Sequence, residues 1–161
     1  MQESKEDYLF PDKYDVVSFV MGELTWNNSE PARIHKSLYL LFGAYSACRK
    51  IDPLLPRYLF PAKFYGWGYG PVEEEVQTSM KSGVLREGTY NVDHFLKENY
   101  PYVHKSLQEV MNQINELYLW RLMETTWDEA WVKHKEDATL IDNDEIMEVF
   151  FRDKVEEENE D

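Results

Sequence analysis

The amino-acid sequence predicts a mainly α fold, a compact single-domain helical bundle with at most a small β element near residues 59–66. Three observations lead there. Apolar residues recur every three or four positions over most of the chain, the signature of amphipathic helices. A length of 161 residues with 43% hydrophobic and 15% aromatic content is enough for one core and short of two. The only long stretch without helical periodicity lies between Ile51 and Pro71, where prolines and glycines gather.

Residues 1–10 are polar and are expected to form a flexible N-terminus, with the domain at 11–153 and an acidic tail at 154–161. Tyr14, Val17, Val20, Met21 and Leu24 mark a first amphipathic helix. Ser29-Glu30-Pro31 supplies a cap candidate and a first-turn proline, so a second helix should carry Ile34, Leu38, Leu41, Phe42 and Tyr45 to about Cys48. Leu59 to Tyr65 suits a short strand. Val72 to Met80 reads as a short helix with Glu73, Glu74 and Glu75 at its positive end. A brief helical piece spans Val92 to Lys97.

Val103, Leu107, Val110, Ile114, Leu117, Tyr118 and Leu122 predict the longest helix, central to the core. Trp127 to Lys135 forms a further short helix, with Trp127 and Trp131 sharing a face and packing onto the long one. Asp142 and Glu145 resemble a capping box before a last helix that points Ile146, Val149 and Phe150 inward.

The charge is uneven. Of 31 acids and 17 bases, 12 acids and two bases fall between Glu136 and Asp161. No basic patch suited to phosphate contacts is present, which argues against direct nucleic-acid binding. The acidic end reads either as a solubilising tail or as an element that steers a basic partner. No apolar run is long enough to span a membrane, and the first residues lack the basic and apolar regions of a signal peptide, so a cytoplasmic setting is expected. The lone Cys48 excludes an internal disulfide and is expected buried near a helix end. His35, His94, His104 and His134 show no metal-ligand spacing, no phosphate loop or Gly-x-Ser-x-Gly motif occurs, and no cofactor or metal is expected.

The run Phe64-Tyr65-Gly66-Trp67-Gly68-Tyr69-Gly70-Pro71-Val72 places four aromatic rings and three glycines before a rigid turn. The rings are core residues with hydrogen-bonded polar tips, or they form an interface of the kind rich in tyrosine and tryptophan. Both readings can hold for different rings of one loop.

Three segments resemble the Panacea domain, also called SocA-like: Arg33-Ile34-His35-Lys36-Ser37-Leu38-Tyr39-Leu40, in which Lys36 and Tyr39 fit a helical motif; Ala62 to Val72, closing on Tyr69-Gly70-Pro71-Val72; and Thr126-Trp127-Asp128-Glu129-Ala130-Trp131 followed by Asp144-Glu145-Ile146 and Phe150. Trp127 stands where that family usually has histidine. The resemblance spans roughly Tyr14 to Phe151. It implies a mainly helical antitoxin-like protein, found also in phages, that binds and neutralises a partner protein.

The residues expected at the partner surface are Tyr65, Trp67, Tyr69, Gly70, Pro71 and Val72 as a shaped loop, with Glu73 and Glu74 as a charged rim. The expected partner is a protein, a toxin or a defence effector with a basic surface, and self-association is open. The alternatives are a phage-encoded inhibitor of a host defence nuclease and an enzyme whose site the motifs do not reveal.

Overall fold

The computed structural model describes residues 7–25, 30–83 and 85–156. Residues 7–10 are tied to the body of the protein. The Leu9 and Phe10 amides donate to the Tyr58 and Leu59 carbonyls at 3.0 and 2.9 Å, and Phe10 is buried. That corrects the expected flexible stretch for its last four residues; residues 1–6 and the cap candidate Ser29 lie outside the described ones.

Helix α1 (Lys13–Glu23) starts where the Asp12 carboxylate accepts the Tyr14 amide. Helix α2 (Pro31–Ile51) opens on its proline and runs past Cys48, which is buried. The glycine-aromatic run folds into an antiparallel hairpin, β1 (Phe64–Trp67) against β2 (Gly70–Glu73), with Trp67 opposite Gly70 and Phe64 opposite Glu73. The strand therefore lies at the end of the expected 59–66 region. The Gly-Pro-Val segment read as a turn is its partner. Val72 and Glu73 belong to that strand, so the next helix, α3 (Glu74–Lys81), begins two residues later than expected, capped by the Glu73 side chain.

Helix α4 (Val92–Asn99) is capped by Asn91. The expected long helix is two: α5 (Pro101–Asn115) and α6 (Leu119–Thr125). Hydrophobic periodicity runs across the junction, but tertiary bonds break the backbone there. The buried Arg33 guanidinium donates to the Leu117 carbonyl at 3.2 Å. Asn115 turns aside to accept the Thr25 amide and donate to the Glu23 carbonyl, and Tyr118 is exposed rather than inward. Helices α7 (Glu129–His134) and α8 (Asn143–Phe150) follow, capped by Asp128 and Asp142, and α8 leads into a π-helical turn, Phe151–Glu156. In α8 only half of the capping box forms, because Glu145 turns toward Lys133 and His134.

The centre of the protein is α2, not α5. Every residue from Arg33 to Ser46 is buried, a pattern that requires neighbours on all sides, and α1, α5, α6, α8 and the hairpin supply them. An aromatic cluster fills the hairpin side: Phe42 meets Phe60 and Phe64 edge-on at 5.4 and 5.9 Å, and Tyr39 meets Phe64 edge-on at 5.2 Å, geometry that suits the ring quadrupoles. Among the described residues no helix is long and apolar enough to cross a membrane.

Gly43 sets how closely α8 approaches α2, since a Cβ at that position would lie 2.7–2.8 Å from Phe150 side-chain atoms that include its Cβ. The Phe150 Cβ is fixed to the backbone and cannot swing away. Gly43→Ala is therefore expected to destabilise by about 1–3 kcal/mol through overpacking, despite the better helix propensity of alanine. Gly22→Ala, where the space is open, should stabilise by about 0.5–1 kcal/mol. Chemical denaturation of the two variants checks the pair of opposite signs.

Candidate functional site

The hairpin is held from beneath by polar side chains of α2. Lys36 is 2% exposed, and its ammonium donates to the Pro71 carbonyl at 2.9 Å. The ring of the preceding residue, His35, spans two elements. Its Nδ1 accepts the Glu73 amide at 3.2 Å, which leaves Nε2–H to donate to Gln77 Oε1 at 2.8 Å. The imidazole is thus neutral by its own hydrogen bonds. Gly70 has φ 124, a region that side chains disfavour, and a Cβ there would meet Thr126 Oγ1 at 2.9 Å and Lys36 Cε at 3.0 Å.

Glu73 is fully buried, which corrects its place in the expected charged rim. Its Oε2 accepts from Lys13 Nζ at 2.8 Å and from the Lys63 amide at 2.7 Å, and its Oε1 accepts the Val76 amide at 3.1 Å. The carboxylate joins α1, the hairpin and α3 and is satisfied on both oxygens, the condition under which a buried charge is tolerated. Gly70, Pro71 and Val72 are also buried. Those four residues of the expected site support the surface rather than form it.

The exposed part is the hairpin tip. Trp67 and Tyr69 are 40% and 77% exposed, Glu74 is exposed, and Tyr65 is half-buried. Two tryptophans from the segment before and within α7 fix the tip backbone. Trp131 Nε1 donates to the Trp67 carbonyl at 2.7 Å and Trp127 Nε1 to the Tyr69 carbonyl at 3.2 Å. The two indoles stack at 5.7 Å. They were expected to pack on the long helix; instead they buttress the hairpin, and Trp127 stays 43% exposed beside it. Sequence reasoning left Trp127 out of the surface, although its place in the Thr126–Trp131 motif was the available signal.

Asp128 completes the frame. It caps α7 by accepting the Trp131 amide at 2.9 Å, and both its oxygens accept from the Tyr39 hydroxyl at 2.8 and 2.9 Å. Burial and that carboxylate push the Tyr39 phenol far above its ordinary range. The three segments singled out in the sequence, far apart along the chain, therefore meet in one place. Neither hairpin edge is free to add a strand. The outer side of β1 bonds to residues 139–141, through Gly66 N–H to the Thr139 carbonyl and Ile141 N–H to the Phe64 carbonyl, while β2 is covered by His35 and Lys36. What the hairpin leaves exposed is the side chains at its tip.

No group of three or more His, Cys, Asp or Glu residues suited to a metal ion occurs among the described residues. Compared with known protein families, with curated proteins and with solved structures, the chain matches none of them.

The framework beneath the tip carries an acid sensitivity. Burial, helped by the neighbouring Lys36 charge, pushes the His35 imidazole down to about 4 from an ordinary 6.5. Between those values the unfolded chain binds a proton that the folded chain refuses, so stability falls as pH drops from 6.5 toward 4. The slope from this residue reaches about 1.4 kcal/mol per pH unit. Denaturant titrations of the protein and of His35→Gln across that window are expected to show a flatter profile in the variant. Equal slopes would place the sensitivity elsewhere.

Proposed function

We propose that this protein acts in a bacterial cytoplasm as a binding protein that neutralises a partner protein by direct contact, as the SocA-like antitoxins it resembles are understood to do. The carrying observation is the tip of the hairpin, where Trp67, Tyr69 and Trp127 offer large, partly exposed rings on a backbone fixed by two indole hydrogen bonds. Tryptophan and tyrosine supply much of the energy at protein interfaces. A contact surface that is ordered beforehand loses less entropy when it binds. Exposed Glu74 follows the base of the hairpin, and exposed Glu136 and Asp137 stand in the loop that Thr139 ties to β1. Those acids favour a basic partner surface, of the kind that toxins acting on nucleic acid carry.

The test is co-expression with the product of the neighbouring reading frame, scored by survival and by binding of the purified proteins. The double variant Trp67→Ala/Tyr69→Ala is expected to lose rescue and at least about 2 kcal/mol of binding, roughly 30-fold in Kd, with its far-ultraviolet circular dichroism unchanged. Full rescue by that variant, or a neighbour that is neither toxic nor bound, would argue against the proposal. Glu73→Ala is unsuitable for this purpose, because it leaves the Lys63 and Val76 amides without their acceptor and the buried Lys13 with only the half-exposed Glu75 at 3.3 Å, and is expected to cost several kcal/mol of stability.

A second reading, a phage-encoded inhibitor of a host nuclease, is favoured by the 12 acids between Glu136 and Asp161. Such a region can occupy a groove built for phosphates. Truncation after Lys154, which removes five of those acids, tests the tail alone: neutralisation by the rings should survive it, whereas mimicry by the tail should be lost, and mimicry by the acids from Glu136 to Asp153 should survive it but weaken steeply with salt in the intact chain.

A further inference from the structure

A cavity of about 630 Å³ opens between the C-terminal half of α2 and the α8 end of the chain. Ser46 on its lining lies ten residues beyond Lys36, about 15 Å along the helix at 1.5 Å per residue, so the cavity is distinct from the hairpin tip. Its volume falls in the range of small-molecule sites. We propose that it binds a small organic carboxylate, a single anionic group on an apolar body.

Two polar groups there have no partner among the described residues. Ser46 is 8% exposed, yet its hydroxyl makes no hydrogen bond; a helical serine in an apolar setting ordinarily bonds back to the carbonyl one turn earlier. The Nε of Arg49, one turn further along the same helix and also on the lining, is buried and unpartnered as well. A buried donor left unmet is costly, and native structures contain few of them. A guanidinium beside a hydroxyl is a donor set that a planar carboxylate oxygen pair satisfies.

The surrounding charges point the same way. Lys50 stands over the Phe151 ring at 5.1 Å rather than against an acid, whereas Arg152, also on the lining, is already paired with Glu129 and Asp153. In a chain with 31 acids and 17 bases, two bases at one cavity, Arg49 and Lys50, that have no acid partner among the described residues attract a negative group. Asp144, already engaged by Arg57 and Tyr58, and the exposed Glu148 also line it. Their charge disfavours an extended polyanion such as nucleic acid and leaves room for one anionic group. Met147 and Phe151 supply the apolar wall.

The probes are benzoate, its neutral isostere benzamide, and acetate, which lacks the apolar body. They are titrated into the full-length ¹⁵N-labelled protein while amide shifts of Ser46–Lys50 and Met147–Arg152 are followed. Benzoate is expected to produce saturable shifts in both segments at millimolar concentration, with benzamide and acetate at least about tenfold weaker. Arg49→Gln should weaken benzoate by about tenfold or more. Ser46→Ala removes a buried unpartnered hydroxyl, so it should keep its thermal stability and still bind benzoate more weakly; it serves as the readout if the arginine variant fails to fold. Absence of saturation, equal binding of benzamide, or undiminished benzoate binding in the folded variants would overturn the proposal.

Discussion

The structure depends on burying α2 on every side while several of its residues are polar. Arg33, His35, Lys36 and Tyr39 lie on the stretch of α2, Arg33 to Ser46, that is buried throughout. Each therefore needs a partner from another element, since an unmet polar group in the interior costs more than most single contacts return. Arg33 takes the Leu117 carbonyl, His35 takes Gln77 and the Glu73 amide, Lys36 takes the Pro71 carbonyl, and Tyr39 takes Asp128. Apolar packing gives α2 its neighbours without fixing their register. The directional bonds specify where the α5–α6 corner, the hairpin and the start of α7 must dock.

The same constraint separates support from surface within one short stretch. Gly70 to Glu73 face the polar residues of α2 and are buried, whereas Trp67 and Tyr69, one turn of chain away, are turned outward. The indoles of Trp127 and Trp131 close the arrangement from the other side by bonding the tip carbonyls. Two of the aromatic residues are thus held by backbone bonds made to them, not by burial of their own rings. The buried ion pair Lys13–Glu73 ties the base of the hairpin to α1, and the buried His35 that accepts the Glu73 amide gives it a dependence on pH.

Much of the helical framework is legible from side-chain spacing and caps. Asp12, Asn91, Asp128 and Asp142 each precede a helix and accept an amide of its first turn, a bond made within a few residues and so written locally. The stop after Asn115 is not local. It arises when Arg33, 84 residues away in sequence, claims the Leu117 carbonyl, and an unbroken apolar period gives no warning of it. Glu73 is a similar case. Three consecutive glutamates look alike in sequence, yet one is an interior cap with a lysine partner and its neighbour Glu74 is exposed.

By itself the sequence determined that this chain forms a mainly helical domain, where most helices begin, and that the glycine-aromatic run is unusual. Those properties follow from hydrophobic periods, capping residues and the special angles of glycine and proline, all of which act over a few residues. Only the tertiary structure decided that the run is a hairpin, that its last residues are buried, and that Trp127 joins Trp67 and Tyr69 at its tip. The physical reason is that backbone amides and carbonyls accept whichever partner the packed core brings to them, and those partners come from positions remote in the chain.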